Sequence, residues 1–389
     1  MNLDKMATGM AKSSRLRVLF AARDLSGGGA ERSLINTVRF LDRSRFEPAI
    51  SVWRDVRDYP VPEDVPVFNL KAFGRGRTPL VIVRTAQLLR RWRPQVVFSF
   101  MGFPSLVTGL GVKLSQLKCA WFTSIQSVLS VEFGRLPGWF CRPILTWANG
   151  NIVISRGIQE SLESVFGVPR DKIITIPNPI SFADFPAGGG GGAPRTDGKY
   201  RLITMGRLVE EKDHATLIRA FAKVRQRAEA ELVILGEGPL RGSLESLCSQ
   251  LNVAADVRMP GFSKNPVEDL RRADLFVLSS VVEGLGMALI EAMGAGLPAV
   301  STNCPFGPRE IIQNKKTGLL VGVGDSDALA DAILWMHENP QDARRFAQDG
   351  MVRVRETFST ERIVRQQEEL FCEAAAETAP ARLAGRGER

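Results

Sequence analysis

The hydrophobic positions in the first half of the chain alternate between the spacing of buried strands and that of amphipathic helices. The apolar run Leu16–Ala22 leads into a glycine-rich turn at 26–29, and apolar residues then recur at helical spacing through Leu34, Val38 and Leu41. Further strand-like runs, separated by helical segments, lie at 96–100, 119–124, 152–154 and 173–176. This alternation is typical of a parallel sheet covered on both faces, so we expect residues 1–186 to form a doubly wound, Rossmann-like α/β domain.

The second half of the chain repeats this alternation after a glycine-rich interruption. Residues 187–198 have no apolar pattern, which predicts an inter-domain linker. The strand-like runs that follow lie at 202–205, 232–235, 275–278, 299–301 and 319–321, and the helical segments lie at 213–227, 239–251, 286–295, 326–337 and 341–356. We expect a second Rossmann-like domain over 199–358, then a C-terminal segment 359–389 with a closing helix at 360–376 and a frayed tail from 377. Two similar domains in tandem predict a cleft between them.

Composition excludes several classes of protein. Of 389 residues, 44% are hydrophobic and 24% are charged, and no apolar run approaches the roughly 18 residues that cross a bilayer. The first fourteen residues contain charges but no apolar segment, so we predict no secretory signal and expect a cytoplasmic location. The five cysteines lie far apart and there are only two histidines, which leaves little from which to build a metal site or a histidine-dependent hydrolase.

The positive charge is concentrated in the first half of the chain. The net charge is +9, and the stretch from Val65 to Gln159 contains 12 basic residues and a single acidic one, Glu132. Such a field favours an anionic partner, either a membrane surface, a lipid phosphate or nucleic acid.

One segment within this basic stretch could contact a membrane. Apolar and basic residues are mixed along Leu80–Trp92, and Arg93 follows, which would suit the headgroup region of an anionic bilayer. An ordinary amphipathic helix packed on the sheet explains the same pattern equally well. The charge asymmetry favours peripheral membrane contact.

Two loops that follow predicted strands carry candidate chemistry. In the stretch 281–298, Glu283 precedes a helix that should begin near Gly286, and Glu291 lies about a turn and a half into that helix. The amide groups at the start of this helix could hold a diphosphate or a sugar oxygen. In the stretch 206–213, Arg207 and Lys212 flank a loop and could neutralise a diphosphate from two sides.

Taken together, these loops resemble those of the retaining nucleotide-sugar glycosyltransferases of the GT-B fold, family 4 type. Family-like segments also occur, in the expected order, at 28–32 (GGAER), 176–180 (IPNPI), 235–239 (LGEGP) and 304–311 (CPFGPREI). The resemblance implies two Rossmann-like domains that face a central cleft, with the C-terminal helix packing back. It also implies retention of the anomeric configuration.

The resemblance assigns roles to individual residues. Arg207 and Lys212 would bind the donor diphosphate, Glu291 the ribose hydroxyls and Glu283 the transferred sugar, which makes Arg207, Lys212 and Glu283 the expected catalytic set. The full expected donor-binding set is Gly28, Gly29, Gly206, Arg207, Lys212, Gly236, Gly261, Phe262, Glu283, Gly286, Met287 and Glu291. Gly28 and Gly29 would approach the diphosphate from across the cleft. Since fixed cations and helix amides would stabilise the departing diphosphate, no metal and no further cofactor is expected.

The sequence departs from the family pattern on the acceptor side. Family members often carry a histidine after a strand of the first domain, and the comparable stretch 121–127 contains none. Ser124 or Gln126 would occupy that position, and the departing phosphate itself would take the acceptor proton.

The function that follows is sugar transfer to a membrane-linked glycan. The segment at 307–311 resembles relatives that use hexose or N-acetylhexosamine donors for bacterial surface polysaccharides. We expect a UDP-sugar donor, a glycan or polyprenyl-diphosphate-linked acceptor, and a peripheral location at the inner face of the cytoplasmic membrane, with no nucleic-acid partner. Two alternatives stay open: a GT-B-like sugar-nucleotide epimerase, and a basic nucleic-acid-binding protein, although no nucleic-acid-binding motif is present.

Three other features are interpreted as structural. The segment 236–242 is similar to a dinucleotide fingerprint, but its glycine spacing is off by one. Asp325 and Asp327 form a DxD pattern before a helical segment, which favours a helix N-cap over a metal site. We expect His214, beside Lys212 at a predicted helix start, to be solvated.

Overall fold

The computed structural model describes residues 15–26, 28–74, 76–134, 136–183, 185, 198–263 and 266–378. Apart from Gly198, the predicted linker lies outside the described residues, as does the predicted tail beyond Thr378. The chain divides into two compact units. The first extends to Val153 and resumes over Ser161–Ile176 and again from Ile363, whereas the second comprises Ile154–Glu160 and Pro177–Arg362.

The first unit is built on a parallel sheet. Its strands are β1 (Leu16–Ala22), β2 (Phe46–Val52), β3 (Val67–Asn69), β4 (Val96–Phe100), β5 (Ala120–Ile125), β6 (Gly150–Val153) and β7 (Ile173–Thr175). Among the described residues the strand order is β3-β2-β1-β4-β5-β6-β7, and every pairing is parallel. The order reverses between β1 and β4, which confirms the predicted doubly wound α/β class.

Helices cover this sheet. They are α1 (Gly29–Phe40), α2 (Thr78–Trp92), α3 (Gly102–Ser115), α4 (Leu129–Phe133), α5 (Gly138–Trp147) and, from Ser161 onward, α6 (Arg156–Phe166). The C-terminal helix α14 (Thr360–Thr378) contributes its residues from Ile363 onward to the same unit. The ring of Phe371 lies 5.5 Å from that of Phe98 and 6.1 Å from that of Phe122, in the core beside the sheet. The prediction that the C-terminal helix packs back is therefore confirmed, and the structure shows that it packs on the first unit.

The second unit repeats the architecture with another parallel sheet. Its strands are β8 (Tyr200–Met205), β9 (Ala230–Leu235), β10 (Val257–Gly261), β11 (Leu275–Leu278), β12 (Ala299–Thr302) and β13 (Leu319–Val321). Within the described residues the order is β10-β9-β8-β11-β12-β13. Its helices are α7 (His214–Arg225), α8 (Arg241–Gln250), α9 (Pro266–Arg271), α10 (Met287–Gly294), α11 (Pro308–Ile311), α12 (Ser326–Glu338) and α13 (Pro340–Phe358). The predicted strands and long helices of this half are all present.

Strands β2, β3 and β10 have no counterpart in the sequence-based expectation. Strand β2 contains Pro48, which lacks an N–H for the sheet and breaks the expected pattern, yet it pairs with β1 over seven residues. Strand β10 lies at a sheet edge, where its side chains alternate between half-buried and exposed. No helix in the described part of the chain is long and apolar enough to cross a membrane.

Candidate active site

The candidate site in the second unit lies where its strand order reverses. Strands β8 and β11 are neighbours at this point, and both end at the same edge because the sheet is parallel. The loop after β8 carries Arg207 and Lys212, and the loop after β11 carries Glu283. In open α/β sheets the crevice at such a switch point is the usual ligand-binding position. The topology thus brings together two loops that are about 70 residues apart in sequence.

Lys212 and Glu283 form a close ion pair at this edge. The distance from Lys212 Nζ to Glu283 Oε1 is 2.6 Å, and the two side chains are 23% and 7% exposed. The hydroxyl of Ser280 donates to the same carboxylate oxygen at 2.7 Å. The hydroxyl of Ser279 donates to the backbone oxygen of Lys212 at 2.9 Å, which ties the two loops together. Ser279 and Ser280 were not predicted, since serines at a strand end carry no distinctive sequence signal.

His214 supports the loop that carries Arg207. Its Nε2 lies 3.2 Å from the backbone oxygen of Arg207, so this nitrogen carries the hydrogen of the bond. The expectation that His214 is solvated is wrong: the residue is buried, because the first turn of α7 packs beneath the loop. Burial lowers the pKa of His214 to about 4, so the imidazole is neutral at physiological pH. The side chain of Arg207 itself is exposed.

Glycines allow the loops after β8 and β9 to approach each other. Gly236 has a φ of +145°, and a Cβ there would overlap the carbonyl oxygen of Gly206. A Cβ at Gly238 would lie 2.7 Å from the backbone nitrogen of Leu208. These glycines therefore serve the packing of two loops, in agreement with the rejection of a dinucleotide fingerprint at 236–242.

Helix α10 presents its amino terminus beside the same loop. Its N-cap is Gly286, with a φ of +98°, and the helix begins at Met287, one residue after the predicted start. Free amide groups and the helix dipole make this end attractive to anions. Glu291 lies one turn further along the helix and is buried.

Gly261 and Phe262 extend this edge of the sheet beyond β9. The backbone N–H of Gly236 donates to the oxygen of Gly261 at 2.8 Å, at the end of β10. The side chain of Phe262, which follows, is exposed. The second unit therefore contains Gly206, Arg207, Lys212, Gly236, Gly261, Phe262, Glu283, Gly286, Met287 and Glu291 of the expected set along one edge.

The remaining predicted residues belong to the first unit. Gly28 and Gly29 stand at the start of α1, after β1, where Gly28 is the N-cap. Ser124 is the second-last residue of β5, and Gln126 directly follows the strand. Both residues are buried, and the side-chain amide of Gln126 donates a hydrogen bond to the hydroxyl of Ser124. The two predicted acceptor-side residues are thus hydrogen-bonded to one another.

Glu132 is a buried acid that the sequence-based interpretation left without a role. Its carboxylate accepts hydrogen bonds from the backbone N–H groups of Gln126, at 2.8 Å, and of Gly102 at the start of α3. Burial raises the pKa of Glu132 to about 7, against the opposing effect of these N–H donors. A signal existed in the sequence, because Glu132 is the single acid in a strongly basic stretch.

A cavity lies next to Glu132, at the switch point of the first sheet. Its lining includes Arg23 after β1, Glu31 on α1, Met101 and Phe103 after β4, and Glu132. Burial also raises the pKa of Glu31. Met101 has a φ of +70°, a strained conformation for a residue with a side chain. A cavity with two carboxyl groups, a cation and an aromatic ring offers the contacts that a polar, hydroxyl-rich molecule needs.

The DxD pattern acts as a helix cap. The Asp325 carboxylate accepts from the backbone N–H groups of Asp327 and Ala328, at 3.1 and 2.9 Å, and so caps α12. Asp327 pairs with Lys223. The N-cap prediction is confirmed, and the described residues contain no group of three His, Cys, Asp or Glu side chains placed to hold a metal.

Two family models match the chain in tandem. The model of Glycosyltransferase Family 4 matches residues 27–183, and that of Glycosyl transferases group 1 matches residues 193–352. The first match falls mainly on the first unit and contains Gly28, Ser124 and Gln126. The second contains the loops of Lys212 and Glu283.

Curated relatives agree with these matches. The N-acetylgalactosamine-N,N'-diacetylbacillosaminyl-diphospho-undecaprenol 4-alpha-N-acetylgalactosaminyltransferase of Campylobacter jejuni is 26% identical over 331 residues, which are 81% of this chain and 88% of that protein. An uncharacterized glycosyltransferase of Methanocaldococcus jannaschii is 42% identical over 114 residues, which are 29% of this chain and only 28% of that protein. The matched region thus spans most of the Campylobacter protein but only about a quarter of the Methanocaldococcus protein.

A solved structure shares the fold. The structure of Anabaena Alr3699/HepE in complex with UDP superposes with a TM-score of 0.78 and 18% identity, covering 92% of this chain and 100% of that one. At this low sequence identity, the similarity shows a common fold and does not extend to a common substrate. The two family models together span most of the chain, and with this fold they show that the chain belongs to the GT-B glycosyltransferases of the family 4 type.

Proposed function

We propose that this glycosyltransferase moves a hexose or N-acetylhexosamine from a UDP-sugar to a glycan or lipid-linked acceptor, with retention of configuration, in the synthesis of a bacterial surface polysaccharide. The observation that carries the proposal is the Lys212–Glu283 pair beside the amino terminus of α10, at the switch point of the second sheet. This edge offers cations and helix amides for a diphosphate and a carboxylate for a sugar hydroxyl.

The donor would be held by charge and by hydroxyl recognition. Arg207, Lys212 and the amides of α10 would bind the diphosphate, and Glu291 would accept hydrogen bonds from the ribose hydroxyls. The exposed ring of Phe262 offers a surface on which a base could stack. UDP as the nucleotide is supported by the fold neighbour whose structure contains UDP.

The chemical step breaks the bond between the sugar's anomeric carbon and the diphosphate oxygen. Negative charge grows on the departing diphosphate, where Arg207 and Lys212 would stabilise it. Lys212 would do so with little rearrangement, because it is already held by Glu283. The acceptor oxygen forms its bond to the anomeric carbon on the face that the diphosphate leaves. The acceptor proton passes to the departing phosphate oxygen, since an amide such as that of Gln126 cannot act as a base.

The acceptor would bind at the switch point of the first sheet. The cavity lined by Arg23, Glu31 and Glu132 provides polar groups for sugar hydroxyls and lies beside the loop that carries Gln126. By its name, the Campylobacter relative acts on a diphospho-undecaprenol-linked sugar, and this supports a lipid-linked acceptor. We place the reaction at the inner face of the cytoplasmic membrane because of the basic charge of the first unit. No metal is assigned to the reaction, since the cations named above carry the charge.

A thermal-shift panel tests the donor half of the proposal. UDP-, GDP- and ADP-sugars are added to the full chain with and without EDTA, because a ligand that binds the folded state raises the melting temperature by mass action. We expect a shift of several degrees with one UDP-sugar that survives EDTA. A larger shift with a GDP- or ADP-sugar would refute UDP as the donor nucleotide, and loss of the shift in EDTA would refute a metal-free site.

A further inference from the structure

Helix α5 of the first unit is apolar on both of its faces. Cys141, Ile144 and Leu145 are buried in the unit. On the opposite side, Trp139 is 78% exposed and Trp147 is 49% exposed. Phe140 and Pro143 lie on the same outer side and are exposed as well. Exposed aromatic side chains grouped on one face of a helix usually mark an interaction site, so the outer face of α5 is a candidate docking surface.

Apolar and basic side chains of the neighbouring helices extend this surface. Leu114, near the end of α3, is 46% exposed. The ammonium of Lys113 lies 5.3 Å from the centre of the Trp147 ring. Arg90 of α2 donates to the backbone oxygen of Leu114 at 2.8 Å and is itself exposed. We define the α5 surface as Lys113, Leu114, Trp139, Phe140, Arg142 and Trp147.

The stretch of sequence that contains the α5 surface is strongly basic, and Glu163 on the adjacent helix α6 is paired with Arg170. The stretch from Val65 to Gln159 has 12 basic residues, and its single acid, Glu132, is buried with its carboxylate bonded to backbone N–H groups. In the described part of this stretch, therefore, the side chains that present charge to solvent are cations. Such a surface complements an anionic one.

We propose that the α5 surface docks on an anionic phospholipid bilayer, with Trp139 and Trp147 at the level of the headgroups. Tryptophan favours this level because its ring is apolar while its N–H can stay hydrated. Phe140 and Leu114 enter the boundary of the acyl chains, and Lys113 and Arg142 meet lipid phosphates. A nucleic acid offers no hydrocarbon to cover the leucine and phenylalanine. A second copy of the chain on a twofold axis would face these cations with its own.

This surface differs from the one predicted on α2. In the structure Leu88 of α2 is buried, and Trp92 packs against the ring of Phe68 at 6.2 Å. Arg84 donates to the backbone oxygens of Leu70 and Lys71. Several of the apolar and basic residues of α2 therefore make contacts within the first unit, as expected for an ordinary amphipathic helix packed on the sheet. Leu80 and Val83 are exposed.

Docking through α5 would also place the acceptor side near the membrane. In the chain, helix α5 belongs to the connection between the parallel strands β5 and β6. Such a crossover starts at the carboxyl edge of the sheet, so the first turn of α5, with Trp139, lies near this edge, where Gln126 follows β5. A lipid-linked sugar could reach this edge without leaving the bilayer. This last step rests on the proposed function, whereas the docking itself does not.

Vesicle sedimentation tests the proposal with the full chain. Vesicles of phosphatidylcholine alone are compared with vesicles containing about a third phosphatidylglycerol, at low and at physiological salt. The test variant is Trp139→Ser/Trp147→Ser, and the matched control is Leu80→Ser/Val83→Ser on α2. We expect the parent and the control to bind the anionic vesicles, and the test variant to bind at least about tenfold more weakly per tryptophan removed.

The outcomes are distinguishable from failure of the proposed function. A UDP-sugar thermal shift without vesicles, unchanged in both variants, shows that the fold and the donor site are intact whatever the vesicle result. The proposal is overturned if the parent does not bind anionic vesicles, or if the α2 control loses binding and the α5 variant keeps it. A parent that is dimeric in gel filtration, with a monomeric α5 variant, overturns it in favour of self-association.

Discussion

Replacing Lys212 with methionine should separate the structural from the catalytic role of the Lys212–Glu283 pair. The substitution preserves the aliphatic stem and removes the charge 2.6 Å from a carboxylate that is 7% exposed. Glu283 then keeps the Ser280 hydroxyl as a partner but has lost its counter-ion. Removing one member of a buried ion pair costs about 3 to 5 kcal/mol, and the 23% exposure of Lys212 admits some water, so we expect a loss of about 2 kcal/mol. In a unit of this size that lowers the melting temperature by about 4 to 8 °C.

Turnover should fall by more than stability explains. If Lys212 stabilises the departing diphosphate, its loss costs about 2 to 4 kcal/mol in the transition state, which is about 30- to 1000-fold in turnover. The assay follows release of UDP from the UDP-sugar found in the thermal-shift panel, at a temperature where the variant is folded.

The double variant Lys212→Met/Glu283→Gln supplies the control. It contains no unpaired charge, so its melting temperature should return most of the way to that of the parent, while turnover remains low. The reasoning is refuted if Lys212→Met turns over normally, or if the two substitutions lower stability additively, since additivity would mean that the pair is not coupled.

Three further predictions follow from other residues. Glu291→Gln should weaken UDP binding about 10- to 100-fold in calorimetry, because the amide is uncharged and has one acceptor oxygen where the carboxylate offers two to the ribose hydroxyls; an unchanged affinity would remove Glu291 from the donor site. Asp325→Ala should cost about 1 kcal/mol of unfolding free energy through loss of the α12 cap and leave turnover unchanged; a loss of turnover in the folded variant would reopen a role for the DxD pattern. Because the pKa of Glu132 is raised from 4.5 to about 7, the folded protein binds a proton that the unfolded chain has released, so the unfolding free energy should fall by about 3 kcal/mol as the pH rises from about 4.5 to about 7. Glu132→Gln should flatten this dependence in chemical denaturation at pH 5 and pH 7.5, and an equal slope in both proteins would assign it to other groups.

The sequence predicted the limits of a strand well where the strand is a short, uninterrupted run of apolar residues between polar ones. Strands such as β1 and β11 have the predicted limits, since buried parallel strands are continuous apolar runs. Strand β2 was missed because Pro48 and a preceding acid interrupt its pattern, although burial on both sides makes it a full member of the sheet.

The candidate site was predictable as far as strand ends could place it. The loops after β8 and β11 come together because parallel neighbouring strands end at one edge, which follows from the alternation alone. The burial of His214 beneath the loop, and the bonds from Ser280 to Glu283 and from Gln126 to Glu132, depend on the exact tertiary positions of side chains. Neither periodicity nor spacing contains that information.

The membrane-facing prediction shows a different limit. Both α2 and α5 mix apolar and basic residues, and an amphipathic pattern does not say whether protein or solvent covers the apolar side. In the structure Leu88 of α2 is buried, whereas Trp139 of α5 is exposed. The sequence alone therefore does not say which helix presents its apolar side chains to solvent, whereas the burial of those side chains in the structure does.

Hydrogen–deuterium exchange of the full chain with and without UDP tests the central claim most directly, namely that the donor site lies at the switch point of the second sheet. Bound UDP should slow exchange of backbone amides in the loops at 206–212 and 279–286 and in the first turn of α10, because those amides and loops would contact the diphosphate. The same segments should show clearly weaker protection in Glu291→Gln at a UDP concentration close to the dissociation constant of the parent, because the variant is then mostly unoccupied. Protection confined to the first unit, around Gly28 and the cavity beside Glu132, would contradict the account.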